Sequence, residues 1–346
     1  MNILILCNSF LPGFKEATKI TITEFSQILT NQGHTVEIIP NNSLYQTYQK
    51  AKQLKKQGFT PDIIHCFSSA PLLVLKTLLV KRLFSNVKTI HTLKSYSKKI
   101  LGSLHFSRLL NRIDIITVST HATKNELITH HTDQNKIHII RSPINLDRFI
   151  PMNKDILTKK YKLANKTILF YYGSLHKNKG PYQLLDACAP LLKENPDTIL
   201  ITCPRHTVPQ ELLNHATTLG IQDRIQWLTH DVNIVEYLNM ADILILPYIS
   251  MEGTEGNPSC LLEAAACKVP VVTSDFPELQ EIMTPNVDIL MAPPSNIEKL
   301  TEQIQRILGD KRLVKKLTEN AYKKKDEYKN TVITQEFVQL YAKLLN

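Results

Sequence analysis

The sequence predicts an α/β fold made of two tandem parallel-sheet domains, and three observations predict it. Short apolar runs alternate with longer amphipathic ones, which is the pattern of strands joined by crossover helices. One polar stretch, Arg141–Lys154 with Pro143 and Pro151, interrupts the alternation, and the pattern then restarts. At 346 residues the chain is long enough for two domains.

In the first half, Asn2–Cys7 reads as a strand and Glu16–Asn31 as a helix closed by Gly33. Thr35–Ile39 and Asp62–Phe67 follow as strands, Pro71–Phe84 as a helix and Val87–His91 as a strand. Ser97–Arg112 is a helix, Ile113–Val118 a strand, Thr120–Thr129 a helix and Ile137–Ile140 a strand. After the linker the strands are Thr167–Tyr172, Thr198–Thr202, Arg224–Trp227, Ile243–Leu246, Val269–Thr273 and Asp288–Leu290. Helices fit between them at Pro181–Glu194, Pro209–Leu219, Ile234–Asn239, Pro258–Cys267 and Glu278–Met283. Asn296–Leu308, Lys311–Tyr328 and Thr334–Leu345 close the chain as helices. Two such domains in tandem imply a cleft between them, a favoured place for a ligand.

Composition narrows the class. A hydrophobic fraction of 43% and a charged fraction of 21% suit a globular protein, and no apolar run approaches the length of a membrane span. The start, MNILILCNSF, lacks a basic n-region and a cleavage site, so it reads as a strand rather than a secretory signal. The six cysteines are scattered, with no CxxC pair and no metal spacing with His, and are expected to be reduced in a cytoplasmic protein. The net charge of +10 is lopsided. Residues 1–150 hold 19 Lys and Arg against 8 Asp and Glu, whereas the remainder is nearly neutral. That excess points to an anionic partner: an acidic glycan or lipid, a membrane surface or nucleic acid. No zinc-finger spacing, RRM-type aromatic motif or helix-turn-helix supports nucleic acid.

The chemistry concentrates in EGNPSCLLEAAACKVPVVTS, where Glu255 and Glu263 stand eight positions apart. Asn257 suits an N-cap and Pro258 the first helical position, so Glu263 lies about one and a half turns into a helix. Helix-start N–H groups form an anion site, and a carboxylate behind them accepts hydrogen bonds from hydroxyls. A nucleotide, with its phosphate and vicinal hydroxyls, has both. A capped helix with one polar residue at its edge satisfies the same local pattern.

With these motifs placed, the chain resembles the retaining family-4 glycosyltransferases of the GT-B fold over nearly its whole length. Glu255-x7-Glu263, in register with EG, Pro, LLEA, AC and VPVV, resembles that family's E-x7-E signature. FYYGSLHKNKG, RIDIITVSTHATKNEL, INLDRFIP, FLPGFKEAT and ADILILPYISMEGTEG fall where the family has its phosphate-Lys loop, its strand ending in Ser, its linker entry, its Gly-rich first loop and the strand before E-x7-E. The resemblance implies two Rossmann-like domains, 1–150 and 151–330, with a C-terminal helix of about 331–346 returning to the first.

It also implies roles. Glu263 binds the ribose hydroxyls of a sugar nucleotide, and Glu255 the hydroxyls of the transferred sugar. Gly256, Asn257, Pro258 and Ser259 form the turn that presents backbone N–H groups. Lys179 stabilises the diphosphate, His91 lines the sugar pocket, and Gly13 lets the first loop approach the phosphates. The expected donor is a nucleotide sugar of UDP or GDP type and the expected acceptor a glycan or lipid-linked saccharide, in cell-surface polysaccharide or lipopolysaccharide synthesis. No cofactor is implied. The DxD pattern is absent and the family does not require a metal. Basic helices at Pro71–Phe84 (Lys76, Lys81, Arg82) and Ser97–Arg112 (Lys98, Lys99, Arg108, Arg112) raise contact with the anionic inner face of a membrane.

Two departures stand out. The family's Arg five positions before the Lys is Ser174 here, and the second Gly of the first loop is Phe14. Lys15, Lys177 or Arg205 is the candidate replacement for the missing charge. The departures leave a second reading open, a weakly active or inactive nucleotide-sugar binder acting through partners. A sugar-nucleotide epimerase on the same fold needs acid and base groups around the sugar that the sequence does not place.

Overall fold

The computed structural model describes residues 1–7, 17–40, 43–68, 71–95, 97 and 104–346. The chain divides into two compact units. The first comprises Met1–Ile144, Glu252–Asn257 and Glu327–Asn346; the second comprises Asn145–Met251 and Pro258–Asp326.

The first unit is a parallel sheet of β1 (Asn2–Cys7), β2 (Thr35–Ile39), β3 (Ile63–Phe67), β4 (Lys88–Thr92), β5 (Ile115–Val118) and β6 (Ile137–Ile139). The strand order is β2-β1-β3-β4-β5-β6. Its helices are α1 (Ala17–Asn31), α2 (Leu44–Lys56), α3 (Pro71–Lys81), α4 (Leu104–Leu110) and α5 (His121–Thr129). The second unit holds β7 (Thr167–Gly173), β8 (Thr198–Pro204), β9 (Ile225–Trp227), β10 (Ile243–Leu246), β11 (Val271–Ser274) and β12 (Leu290–Ala292), in the order β12-β11-β10-β7-β8-β9 and again parallel. Its helices are α6 (Lys154–Lys160), α7 (Pro181–Glu194), α8 (Gln210–Thr218), α9 (Ile234–Met240), α10 (Ser259–Ala266), α11 (Pro277–Gln280), α12 (Ile297–Gly309) and α13 (Lys311–Lys324).

β1 shows why the sheets are parallel and covered. Ile3, Ile5 and Cys7 face a core shared with Ile22, Phe25 and Leu29 of α1, while Leu4 and Leu6 face a second core with Ala51 of α2 and Leu73 and Val80 of α3. A strand buried on both faces reads as an unbroken apolar run. The closing helix, α14 (Asn330–Leu345), covers the first of these faces with Ile333, Phe337, Leu340 and Tyr341. The chain enters it through Ile144 N–H on Tyr328 O (2.8 Å) and Asn330 N–H on Ile144 O (2.9 Å). The Tyr341 hydroxyl hydrogen-bonds His65 Nδ1 (2.5 Å), and His65 Nε2 meets Thr92 Oγ1 (2.7 Å). Burying Phe337 and Tyr341 contributes roughly 1.5–3 kcal/mol each, which holds the chain end on this sheet.

Several elements differ from the sequence reading. Helix α2 was not expected: its exposed side is mostly polar, Leu44 and Tyr45 apart, and only Thr47 and Ala51 are buried. A Ser43–Gln46 capping box starts it, a signal that the apolar count overlooks. Helix α6 begins at Lys154, the last residue of the stretch read as linker, with Asn153 as its cap, and runs on where no element was read. The helix read as Lys311–Tyr328 gives way to a 3-10 turn, Lys325–Tyr328. Of the helix read as Ser97–Arg112, the described part is helical over Leu104–Leu110, and Lys98 and Lys99 lie outside the described residues.

The charge reading of α3 is also corrected. Lys76 is 2% exposed, and burial lowers its pKa. Lys81 pairs with Asp114 at 2.8 Å. Of the three cations read as making this helix a basic membrane-contact face, Arg82 remains exposed. Among the described residues no helix is long and apolar enough to cross a membrane.

Candidate donor-nucleotide site

In the second sheet, β7 and β10 are neighbours from which the chain departs in opposite directions, to β8 on one side and β11 on the other. The carboxyl ends at such a switch point are where open α/β sheets bind ligands. Ser174 and Lys179 follow β7, and the loop carrying Glu255 follows β10.

The turn after β7 is fixed by its backbone. The buried Tyr171 hydroxyl donates to Ser174 O (2.5 Å), Arg205 N–H donates to Gly173 O (2.9 Å), and His176 N–H donates to Ser174 Oγ (3.2 Å). Lys177–Lys179 then form a 3-10 turn that ends on Gly180, with φ +69°. A Cβ at Gly180 would lie 1.8 Å from Pro247 O, so only glycine fits where the turn meets the β10 loop. Asn178 O accepts Ile249 N–H (3.0 Å) from the same loop. Lys179 Nζ is thereby held 4.8 Å from the Tyr248 ring centroid, within cation–π range. The Tyr248 hydroxyl in turn lies 3.4 Å from Cys260 Sγ on the first turn of α10.

Helix α10 begins one residue later than the sequence reading placed it. Pro258, extended at φ −66° and ψ 124°, occupies the cap position, and Asn257 precedes it without making a cap bond. A proline cap has no side-chain acceptor, so the cap residue itself leaves the first N–H groups of the helix open to an anion. Ser259 is the first helical residue. Burial pushes the Cys260 thiol up to about 11, so it is neutral and a poor nucleophile at neutral pH.

Leu261, Leu262 and Ala264–Ala266 are buried on α10, with Glu263 half-buried between them. The Tyr172 hydroxyl donates a hydrogen bond to the Glu263 carboxylate. Burial first, and the adjoining carboxylate second, push the Tyr172 phenol well above its usual pKa, so it stays a donor. The second unit thus brings Ser174, Lys179, Arg205, Pro258, Ser259 and Glu263 to the ends of β7, β8 and β10. Sequence reasoning missed Tyr172 and Tyr248. Their only signal was an aromatic hydroxyl beside a strand end, in runs read as apolar.

The other candidates group with the first unit. Ser95 and Glu255 form an antiparallel bridge, and Ser97 Oγ donates to Glu252 (2.8 Å). A Cβ on Gly256 would lie 3.1 Å from each of the Ser119, Thr120 and Thr123 hydroxyls, which explains the glycine. The Asn257 amide is fully buried, and among the described residues neither its oxygen nor its nitrogen has a hydrogen-bond partner. His91 is fully enclosed and burial lowers its pKa to about 4, so the ring is neutral. Its Nε2–H donates to Ser68 O (2.9 Å), which leaves Nδ1 as an acceptor with no partner among the described residues. Gly13, Phe14 and Lys15 lie outside the described residues.

Residues 153–324 match the family model of glycosyl transferases group 1, and residues 29–148 match that of glycosyltransferase family 4. The chain belongs to this glycosyltransferase family. Glu255, Glu263 and Lys179 all fall within the first of the two matches. Curated relatives include the N,N'-diacetylbacillosaminyl-diphospho-undecaprenol alpha-1,3-N-acetylgalactosaminyltransferase of Campylobacter jejuni, 29% identical over 222 residues. That alignment covers 61% of this chain and 56% of the relative, so the chain spans little more than half of that enzyme's length. The N-acetyl-alpha-D-glucosaminyl L-malate synthase of Bacillus anthracis is 22% identical over 93% of this chain and 84% of its own. The glycosyltransferase of Rickettsia africae superposes with a TM-score of 0.81 at 22% identity, over 100% of this chain and 98% of that one. Anabaena HepE, solved with UDP-glucose, gives 0.81 at 18% identity, over 99% and 100%. The fold of this glycosyltransferase is GT-B.

Proposed function

We propose that this glycosyltransferase moves a sugar from a nucleoside diphosphate donor to a lipid-linked glycan, with retention at the anomeric carbon, in the synthesis of a cell-surface polysaccharide or lipopolysaccharide. The observation that carries the donor half is the cluster at the switch point of the second sheet. A cation on a rigid turn, a helix start whose proline cap makes no side-chain bond, and a carboxylate on the same helix answer the phosphate and the ribose of one ligand. UDP is the first donor base to try, since HepE was solved with UDP-glucose. The acceptor half draws on the Campylobacter relative and on an Escherichia coli galactosyltransferase, 22% identical over 75% of this chain and 69% of its own, whose name specifies a diphosphoundecaprenol-linked acceptor.

Chemically, the departing diphosphate gains negative charge as the bond to the sugar breaks. Lys179 and the first N–H groups of α10 stabilise that charge where it develops. The neutral Cys260 thiol gives no covalent route, which favours same-face displacement, with the leaving phosphate helping to take the acceptor's proton. Glu255 is assigned the hydroxyls of the transferred sugar, and the reaction is expected to run without a metal.

Ser174 removes a cation from this scheme, and Arg205 is the replacement. Pro204 pairs with Gly173 in the β7–β8 register, and the Arg205 charge acts on Tyr171, whose hydroxyl binds Ser174 O. Lys177 is an exposed member of the following turn. Arg205→Ala is expected to lower kcat by about tenfold, roughly 1.4 kcal/mol, with Lys177→Ala near wild type. Equal effects of the two would remove Arg205 from this role.

A lipid-linked acceptor brings the enzyme to a membrane surface. The first unit offers Leu72 (52% exposed) and Leu75 (43%) on α3, with Arg82 beyond its end and Arg108 exposed on the adjoining α4. Apolar and cationic groups together suit the interface of anionic vesicles. Co-flotation that disappears in vesicles without anionic lipid tests this contact.

The function is tested by incubating the protein with UDP-sugars and GDP-sugars and an undecaprenyl-diphosphate saccharide. Released nucleotide is measured, and the anomeric configuration of the product is read by NMR. An inverted product overturns retention. Tight nucleotide binding with no turnover on any acceptor favours the reading of a binder that acts through partners.

A further inference from the structure

We infer that Tyr172 is a positioning residue for Glu263, and that the preference for ribose over deoxyribose in the donor depends on it. The inference rests on the reading of Glu263 as the ribose ligand. Tyr172 is the last residue of β7 before Gly173, and Glu263 is in the second turn of α10, so the hydroxyl-to-carboxylate bond joins two elements that the chain leaves 91 residues apart.

Packing alone does not require a hydroxyl here. The Tyr172 ring lies 5.5 Å from that of Phe170 with planes 21° apart, a contact that a phenylalanine keeps in full. What the hydroxyl adds is a donor aimed at one oxygen of Glu263. A glutamate side chain on a helix has three rotatable bonds, and fixing one carboxylate oxygen orients the other. Tyr172 engages Oε2, and the geometry of the carboxylate as a whole follows from that bond. The phenol stays protonated, so it donates at every pH at which the enzyme works. A carboxylate so oriented accepts hydroxyl hydrogen bonds without first losing side-chain freedom, which is how preorganisation adds to affinity.

The test compares UDP with 2′-deoxy-UDP and 3′-deoxy-UDP by isothermal titration on the full chain, with the GDP series in parallel. Wild type, Tyr172→Phe, Glu263→Ala and the double variant are measured. Wild type is expected to bind the ribonucleotide at least about tenfold more tightly than one deoxy form, a ratio set by hydrogen bonds to a charged acceptor. Tyr172→Phe is expected to cut that ratio to about threefold or less. The donor KM rises while kcat at saturating donor stays within about twofold, a split that general loosening of the core would not give. In the double variant no carboxylate is left without its partner, and its affinities should equal those of Glu263→Ala.

Retention of the full ratio in Tyr172→Phe, with its loss in Glu263→Ala, overturns the inference and leaves the ribose reading standing. Retention of the ratio in Glu263→Ala overturns the ribose reading and the inference with it. A further loss in the double variant, beyond that of Glu263→Ala, would show Tyr172 touching the ligand itself and would also overturn the positioning role. If Tyr172→Phe fails to fold, Tyr172→Met, which keeps apolar bulk and carries no donor, supplies that comparison.

Discussion

Lys179→Ala is expected to lower kcat by about 10²–10³-fold, some 2.7–4 kcal/mol of transition-state stabilisation. The size follows from the rigidity of the turn. Gly180 fits against Pro247 O as no other residue can, Asn178 O is bound by Ile249 N–H, and the Lys179 ammonium rests over Tyr248. A cation held in this way need not be reorganised as charge grows on the leaving diphosphate. The interaction strengthens in the transition state, so the loss should appear mainly in kcat, with a smaller change in donor KM. The turn is fixed by backbone bonds that alanine retains, so the melting temperature should move little. Steady-state kinetics beside a thermal melt checks both points. Turnover within twofold of wild type would take Lys179 out of the reaction.

Between pH 7 and pH 5 the first unit should lose about 4 kcal/mol of stability. His65 and His91 are both 0% exposed, and burial is the main cause lowering each pKa, that of His91 to about 4 and that of His65 well below the usual value. The fields of His91 and Lys94 push His65 in the same direction. In the unfolded chain each imidazole titrates near 6.5. A base with a lowered folded pKa contributes stability that is present above 6.5. That stability is lost as the pH falls toward the folded value, because the unfolded state takes up the proton first. Each imidazole then costs about 2 kcal/mol over this interval. For a unit of this size the midpoint should fall by about 8–16 °C. His91→Gln should remove about half of that slope. His34 and His138, less enclosed, act in the same direction. A midpoint unchanged between the two pH values would mean that neither ring resists protonation as its surroundings require.

Much of this was legible in the sequence, and the reasons are local. The apolar runs of β1, β7 and β10 carry their own signal, because strands covered on both faces have no solvated side to blur it. Lys179-Gly180 and Glu255-x7-Glu263 stood out because close backbone approach and a carboxylate inside an apolar helix restrict the residue types strongly. Helices α2 and α6 were missed because polar faces hide their period, and their Ser43 and Asn153 caps are the only strong local marks. Lys76 was misread because its helix gives no sign of which side meets the sheet.

By itself the sequence determined the α/β class, the two tandem sheets, the helix that carries Glu263 and the excess of positive charge in the first 150 residues, since each follows from periodicity or composition within a short window. Tertiary structure alone decided four other things. It set Tyr172 against Glu263 and Lys179 over Tyr248, it left the start of α10 with a proline cap whose side chain accepts no bond, and it buried His65 under Tyr341 of the returning helix. All but the proline cap are pairings between elements distant in the chain. Their partners are chosen by strand order and by the face each helix buries, and neither is written into the local pattern of either partner.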